Sequence, residues 1–366
     1  MSTDFTSPLN TVSGQDFAVG VLKTALSSKK IAGSYLFVGP SGVGKYSTAQ
    51  AFAACLADPT QSVDLSYARV KSGTFADVRS VGPVPPRRNI AVAQLWPRTD
   101  SQEYRAEHSL LRDLHFEPLD GAKRVFIISN ADGLSVAGSE SANSILKSLE
   151  EPPPYAHFIL TSSSASAMLP TIISRCHVIS FHRLSDEIVA KIVEEKSGLE
   201  PEKARFIANL SSGSAGRALQ LATVPGLLDA REKLLLFAYG IRSAPHSAFA
   251  RLAEDFRNLA KLIEIPDDET NTTKDSKPST TRSSTVAALE ILQTFYRDLL
   301  ARTLHQPLQS LINRDKADII SMASEKCTPD QVVLAIRILE SAKRLILSNA
   351  NNQIGTELLF MKLTRF

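Results

Sequence analysis

Short apolar runs and longer amphipathic stretches alternate along the first half of the chain. Ser34–Val38 (SYLFV) is mostly apolar and stops at Gly39, and Tyr46–Leu56 then reads as a helix. Arg124–Ile128 (RVFII) and His157–Thr161 (HFILT) are continuous apolar runs. That is the pattern of strands covered on both faces of a parallel sheet. Between them, Ser139–Glu151 places Ala142, Ile145, Leu146 and Leu149 on one helical face. Pro152, Pro153 and Pro154 stop this helix, because proline cannot continue the backbone ladder. Strands alternating with helices over residues 1–183 predict an open α/β domain.

The pattern then changes. Residues 184–264 contain no convincing strand; Ile188, Ile192 and Phe206–Leu210 fall in helical patterns punctuated by Gly213 and Gly216. This predicts a small helical domain. Residues 265–285 carry almost no large apolar side chain and are expected to form a flexible linker. From residue 286 to 366 the pattern is helical again, with Val332, Ile336, Leu339 and Ile346 at near-helical spacing. The expected fold class is therefore an α/β domain followed by two all-α domains. No internal repeat is visible.

Composition narrows the class without naming a chemistry. A length of 366 residues suits two or three domains, and 43% hydrophobic content is ample for buried cores. A net charge of +3 permits contact with nucleic acid but does not demand it. Cys55, Cys176 and Cys327 are widely separated, which offers neither a disulfide framework nor a C-x-x-C pair and fits a reducing cytoplasm. The first ten residues, MSTDFTSPLN, have no basic and apolar leader pattern. No apolar run approaches the ~20 residues needed to span a bilayer. The expectation is a soluble cytoplasmic protein with no membrane partner.

The candidate chemistry lies at Gly39–Ser47 (GPSGVGKYS), a glycine loop between a strand and a helix. Gly39, Gly42, Gly44 and Lys45 suit a phosphate loop, whose backbone amides cradle an anion while the lysine neutralises it. The next position should be a small hydroxyl that binds magnesium, and it is Tyr46, whose hydroxyl sits on the far side of a ring. Ser47 is one step further, and one step turns a helix by about 100°. The strand Arg124–Ile128 should be followed by acidic residues, but Ser129 and Asn130 are neutral. Asp132 comes later and is expected to face elsewhere. With two magnesium supports missing, the loop reads as a structural turn of an inherited fold. Passive ATP or ADP binding stays open, and no metal site is expected.

Ser139–Pro153 (SESANSILKSLEEPP) resembles the signature helix of bacterial clamp-loader subunits, and Leu169–Cys176 (LPTIISRC) resembles their Ser-Arg-Cys motif. Gly213–Arg217 (GSAGR) is similar to their Gly-x-x-Gly-Arg element, and Asn349, Asn351, Glu357 and Leu358 resemble a final helix in that family. In order and spacing the chain resembles the AAA+ clamp-loader subunits of the DNA polymerase III holoenzyme. The resemblance implies an AAA+ P-loop domain, a helical lid domain over 184–264 and a C-terminal collar domain over 286–366 that assembles a hetero-oligomer. It implies that Arg175, with Ser174 beside it, is an arginine finger for a neighbouring subunit's ATP site. It implies that Arg217 touches nucleotide, although a surface salt bridge is an equal reading. The partners implied are other loader subunits, the sliding clamp and primed DNA bound without sequence preference.

Tyr46, Ser129 and Asn130 favour the non-hydrolysing member of that family over its motor subunit; the alternative is an ATP-hydrolysing loader subunit or another P-loop remodelling ATPase. Polymerase activity would belong to the holoenzyme, since no palm-like carboxylate set is present. The family's four-cysteine zinc module is not expected, because only Cys55 falls in that region. The remaining conspicuous residues have bland readings. His177 and His182 flank the strand-like Val178–Phe181 on opposite faces, Cys176 is a buried apolar residue, and Glu150 and Glu151 are surface carboxylates before a helix stop. Arg87 and Arg88 are a solvated pair in the segment 82–105, which carries no legible role. Lys343, Arg344 and Lys362 are solvent-facing charges.

Overall fold

Five strands, β1 (Ser34–Val38), β2 (Val78–Val81), β3 (Arg124–Ile128), β4 (Ala156–Ser162) and β5 (His177–Ser180), form one sheet in the order β2-β3-β4-β1-β5. Every neighbouring pair is parallel. The computed structural model describes residues 6–58, 63–83, 90, 92–95, 110–136, 139–241, 244–263, 280–348 and 351–364. Successive strand residues point to opposite faces, so continuous apolar runs build a core on each side. Tyr35, Phe37, Val125, Ile127 and Ile159 lie in one core; Leu36, Phe126, Ile128, Phe158 and Leu160 lie in the other. Phe126 and Phe158 stack across β3 and β4 with ring centroids 5.1 Å apart.

The helix Lys45–Ala57 packs into the first core and is buried on nearly every side, which its small alanines allow. The helix Ser139–Glu150 sends Ile145 and Leu149 into the second core. β2 was not legible, since Arg79 and Ser80 interrupt its short run. A buried ion pair fixes the lower edge of this layer. Arg124 donates to Asp77 at 2.9 Å, and the amides of Leu119, Asp120 and Gly121 point at the same carboxylate. Burial alone would raise the Asp77 pKa, but these donors hold its carboxyl below the usual carboxylate range.

The chain divides into two compact units: Met1–Ile188 with Ser214–Gly216, and Val189–Gly213 with Arg217–Phe366. The second unit contains helices among its described residues, and the expected boundary near 264 does not divide it. Leu227–Ile241 and Phe249–Ala260 pack with the C-terminal helices Thr280–Thr303 and Asn352–Leu363. A buried polar network lies within this unit. Arg231 donates to both carboxylate oxygens of Asp315 at 2.9 and 2.5 Å and to Asn313 Oδ1, with Phe206 under its guanidinium at 4.6 Å. The Arg231 guanidinium holds the Asp315 carboxyl down, whereas burial pushes that of Asp298 up.

Of the linker expected over 265–285, residues 265–279 lie outside the described residues. The last six do not behave as linker, because the helix Thr280–Thr303 has already begun. Ser284 and Thr285 are buried, and Ser284 Oγ donates to Ile263 O at 2.6 Å. Short hydroxyl side chains can satisfy themselves on nearby backbone, so their polarity does not mark exposure. The helix Pro329–Leu347 carries a capping box at Thr328 and Gln331 and buries Val332, Ala335, Leu339, Ala342 and Ile346. Among the described residues no helix is long and apolar enough to cross a membrane.

Candidate functional site

β1 lies between β4 and β5, and its carboxyl end opens into the glycine loop. Gly39 must be glycine because a Cβ there would stand 2.3 Å from the carbonyl oxygen of Phe181. Gly44 sits in the left-handed region at φ 101°, where it starts the helix Lys45–Ala57. Gly42 accepts a hydrogen bond from Gly216 N at 2.9 Å, so residues 214–216 join the first unit at the loop itself. A Cβ on Gly216 would come 3.0 Å from Gly42 Cα, which accounts for the second glycine of the GSAGR stretch.

Lys45 is buried, and its ammonium donates to Gly39 O at 2.5 Å and Pro40 O at 2.6 Å. Burial pushes its pKa down, and the negative charge of Asp132 partly restores it. Asp132 is therefore within electrostatic reach of the lysine, although its carboxylate is bonded elsewhere, to the end of β4. Asn130 takes a left-handed backbone at φ 48°, which turns the chain just after β3. Its N–H donates to Thr161 Oγ1 at 3.1 Å, and Ala131 N donates to Thr161 O at 2.7 Å. Asp132 then accepts from Ser162 Oγ and from Ser163 N, the latter at 3.0 Å to Oδ2.

These residues do not fit a magnesium-bound nucleotide. Tyr46 is exposed beside the loop, Ser129 Oγ is spent on Val81 O at 3.1 Å, and Asn130 is neutral. The nearby carboxylate, Asp132, is taken up by the end of β4. Thr48, buried one turn into the helix, donates back to Gly44 O at 2.9 Å. Among the described residues no group of three or more His, Cys, Asp or Glu side chains is placed to hold a metal.

The Ser-Arg-Cys residues lie at the end of the short helix Pro170–Ile173. Arg175 donates from Nε and NH2 to Glu150 Oε2 at 3.2 and 3.0 Å, and from NH1 to Thr171 O at 3.0 Å. Ser174 Oγ reaches the same Thr171 carbonyl at 3.2 Å. Cys176 packs against the second core, and burial pushes its thiol up to about 12, which makes it inert as a nucleophile. His177 stands edge-on to Tyr35, while His182 exchanges two backbone hydrogen bonds with the Gln15 side chain.

In the second unit, Arg217 donates to Glu290 at 2.6 Å, and Lys343 pairs with the other oxygen of Glu290 at 2.5 Å. Lys343 is thus partly buried in an ion pair and is not simply solvent-facing, whereas the contact of Arg344 with Glu340, at 3.8 Å, is exposed. Arg87 and Arg88, most of the segment 82–105, and Asn349 lie outside the described residues. Sequence reasoning missed Glu150 and Glu290 as partners of the two arginines. Glu150 is 25 residues from Arg175, and Glu290 is 73 residues from Arg217. No local pattern links residues so separated.

The family model described as "DNA polymerase III, delta subunit" matches residues 14–185. DNA polymerase III subunit delta' of Bacillus subtilis is 25% identical over 339 residues, covering 91% of each chain. DNA polymerase III subunit tau of the same organism is 26% identical over 84% of this chain, which spans 52% of that longer relative. A gamma-subunit-related protein of Thermotoga maritima superposes over 94% of this chain and 98% of its own at 14% identity, with a TM-score of 0.41. The glycine loop, β3 and the Ser-Arg-Cys turn all fall inside the segment matched by the family. With the family match over residues 14–185 and the delta' alignment running through both units, the chain is similar to DNA polymerase III delta and delta' subunits along most of its length.

Proposed function

We propose that this chain is a non-hydrolysing subunit of the sliding-clamp loader that supports clamp loading on primed DNA during replication. In this reading it supplies Arg175 to the ATP site of a neighbouring subunit. The observation that carries the reading is the side-chain set around Lys45. Tyr46, Ser129 and Asn130 occupy the positions where a hydrolysing site needs a small hydroxyl and two carboxylates, and Asp132 is held by Ser162 and Ser163. A guanidinium on a surface turn, by contrast, keeps its charge at every working pH and can bind phosphoryl oxygens in a fork.

The lid role falls on residues 184–264 and the collar role, which assembles the hetero-oligomer, on residues 286–366. Gly39, Gly42, Gly44 and Lys45 retain at most passive binding of ATP or ADP, and Arg217 serves as an internal ion-pair partner of Glu290. Contacts with the clamp and with primed DNA are directed at shape and phosphate charge, not at base edges. The test is steady-state ATP hydrolysis by the purified chain with magnesium. No turnover above background is expected. Turnover that disappears in Lys45→Ala would overturn the reading and make the chain a motor subunit.

A further inference from the structure

Arg175 is held before any partner arrives. A guanidinium carries five N–H groups: one on Nε and two on each terminal nitrogen. Three are engaged inside this chain: Nε and NH2 on Glu150 Oε2, and NH1 on Thr171 O. One N–H therefore remains on each terminal nitrogen, the pair that can bind two phosphoryl oxygens at once.

Both anchors rest on the same apolar core. Glu150 ends the helix Ser139–Glu150, fixed by buried Ile145 and Leu149, and Thr171 lies in the turn fixed by buried Ile172. The side chains of the pair are 29% and 57% exposed, and an ion pair so exposed contributes little to folding. What it does change is freedom. An arginine side chain is among the most costly to immobilise, and ordering it beforehand removes that loss from the encounter with its target.

We propose that Glu150 is a positioning residue for Arg175, holding the guanidinium with one free N–H on each terminal nitrogen toward a nucleotide bound by a neighbouring subunit. The inference rests on the reading of Arg175 as an arginine that acts in trans. The opposite role, a latch that withholds Arg175 until assembly, would use the same contact, and the two differ in the sign of their effect.

The experiment uses the loader reconstituted from its motor subunits and the full-length chain, with clamp and primed DNA. kcat and KM for ATP are measured for Glu150→Gln, Glu150→Asp, Arg175→Ala and the double variant Glu150→Gln/Arg175→Ala. Glu150→Gln is expected to lower kcat by roughly tenfold, short of the ~10²-fold that a 1 Å misplacement can cause, and to leave KM unchanged. Glu150→Asp, which keeps the charge on a shorter arm, should recover part of the loss. The double variant should be no slower than Arg175→Ala alone, because Glu150 acts only through Arg175.

Wild-type kcat in Glu150→Gln, with Arg175→Ala impaired, would overturn this inference and leave the trans arginine standing. A kcat above wild type would replace positioning with a latch. An equal loss in the Arg175→Ala background would show that Glu150 acts by another route. Wild-type turnover in Arg175→Ala would remove both the trans arginine and its positioning residue.

Discussion

The ammonium of Lys45 lies 2.6 Å from the carbonyl oxygen of Pro40, inside the loop that would otherwise present it to a phosphate. With Gly39 O at 2.5 Å on the same ammonium, the lysine closes the glycine loop on itself. It is a structural member of the loop. Lys45→Met, which keeps the apolar stem, should therefore destabilise the protein with no nucleotide present. Leaving buried carbonyls unpaired costs about 1–3 kcal/mol, and the loss should appear as a lower urea midpoint. An unchanged midpoint would mean that the loop does not depend on its lysine.

His157 gives the first unit an acid-sensitive point. It is buried on β4, its Nδ1 lies 3.0 Å from Ala32 O, and its Nε2 finds no partner among the described residues. Burial pushes its pKa below the ordinary 6.5, with the charge of Lys123 adding to the effect. Below that ordinary value the unfolded chain binds a proton that the folded chain refuses, so stability falls as pH falls. The contribution is complete above pH 6.5 and is lost on descending toward the folded-state pKa. His157→Gln should flatten the slope of unfolding free energy against pH over that interval. An identical slope in the variant would assign the acid sensitivity to other groups.

The second unit depends on Arg231. Its side chain is 10% exposed and joins the helix Leu227–Ile241 to Asn313 and Asp315. Arg231→Met fills similar volume but leaves Asp315 and Asn313 without their donor. Removing one partner of a buried pair costs roughly 3–5 kcal/mol, tempered here because Asp315 is partly exposed and can recover water. Thermal unfolding should shift well below wild type, and the added variant Asp315→Asn should be less than additive with it. Additive losses would show that the two residues stabilise the unit independently.

The strands β1, β3 and β4 were legible because each is an apolar run covered on both faces, and such runs announce themselves without alternation. β2 was not, since a short edge strand with Arg79 and Ser80 shows no apolar run. The loop glycines were legible as a spacing, but the spacing could not say that Lys45 turns inward or that Gly216 closes on Gly42. The partners of Asp132 at the end of β4 were not legible, because one left-handed residue, Asn130, turns the chain after β3. Glu150, Glu290 and Arg231 were missed for a common reason: their partners are 25, 73 and 82 to 84 residues away. Only the folded chain brings them together.

In the proposed function this chain completes a neighbour's ATP site with Arg175 while hydrolysing nothing itself. The direct measurement is DNA- and clamp-stimulated ATP turnover by the reconstituted loader carrying Arg175→Ala or Arg175→Lys, with assembly checked by size exclusion. Arg175 is on the surface, so both variants should fold and assemble. Arginine fingers in GTPases are worth about 10³–10⁵ in rate, and a loss of at least roughly tenfold is expected here for Arg175→Ala. Arg175→Lys should recover only part of it, because a point charge lacks the fork. Wild-type turnover by a fully assembled Arg175→Ala complex would contradict the account and leave the chain a purely structural subunit.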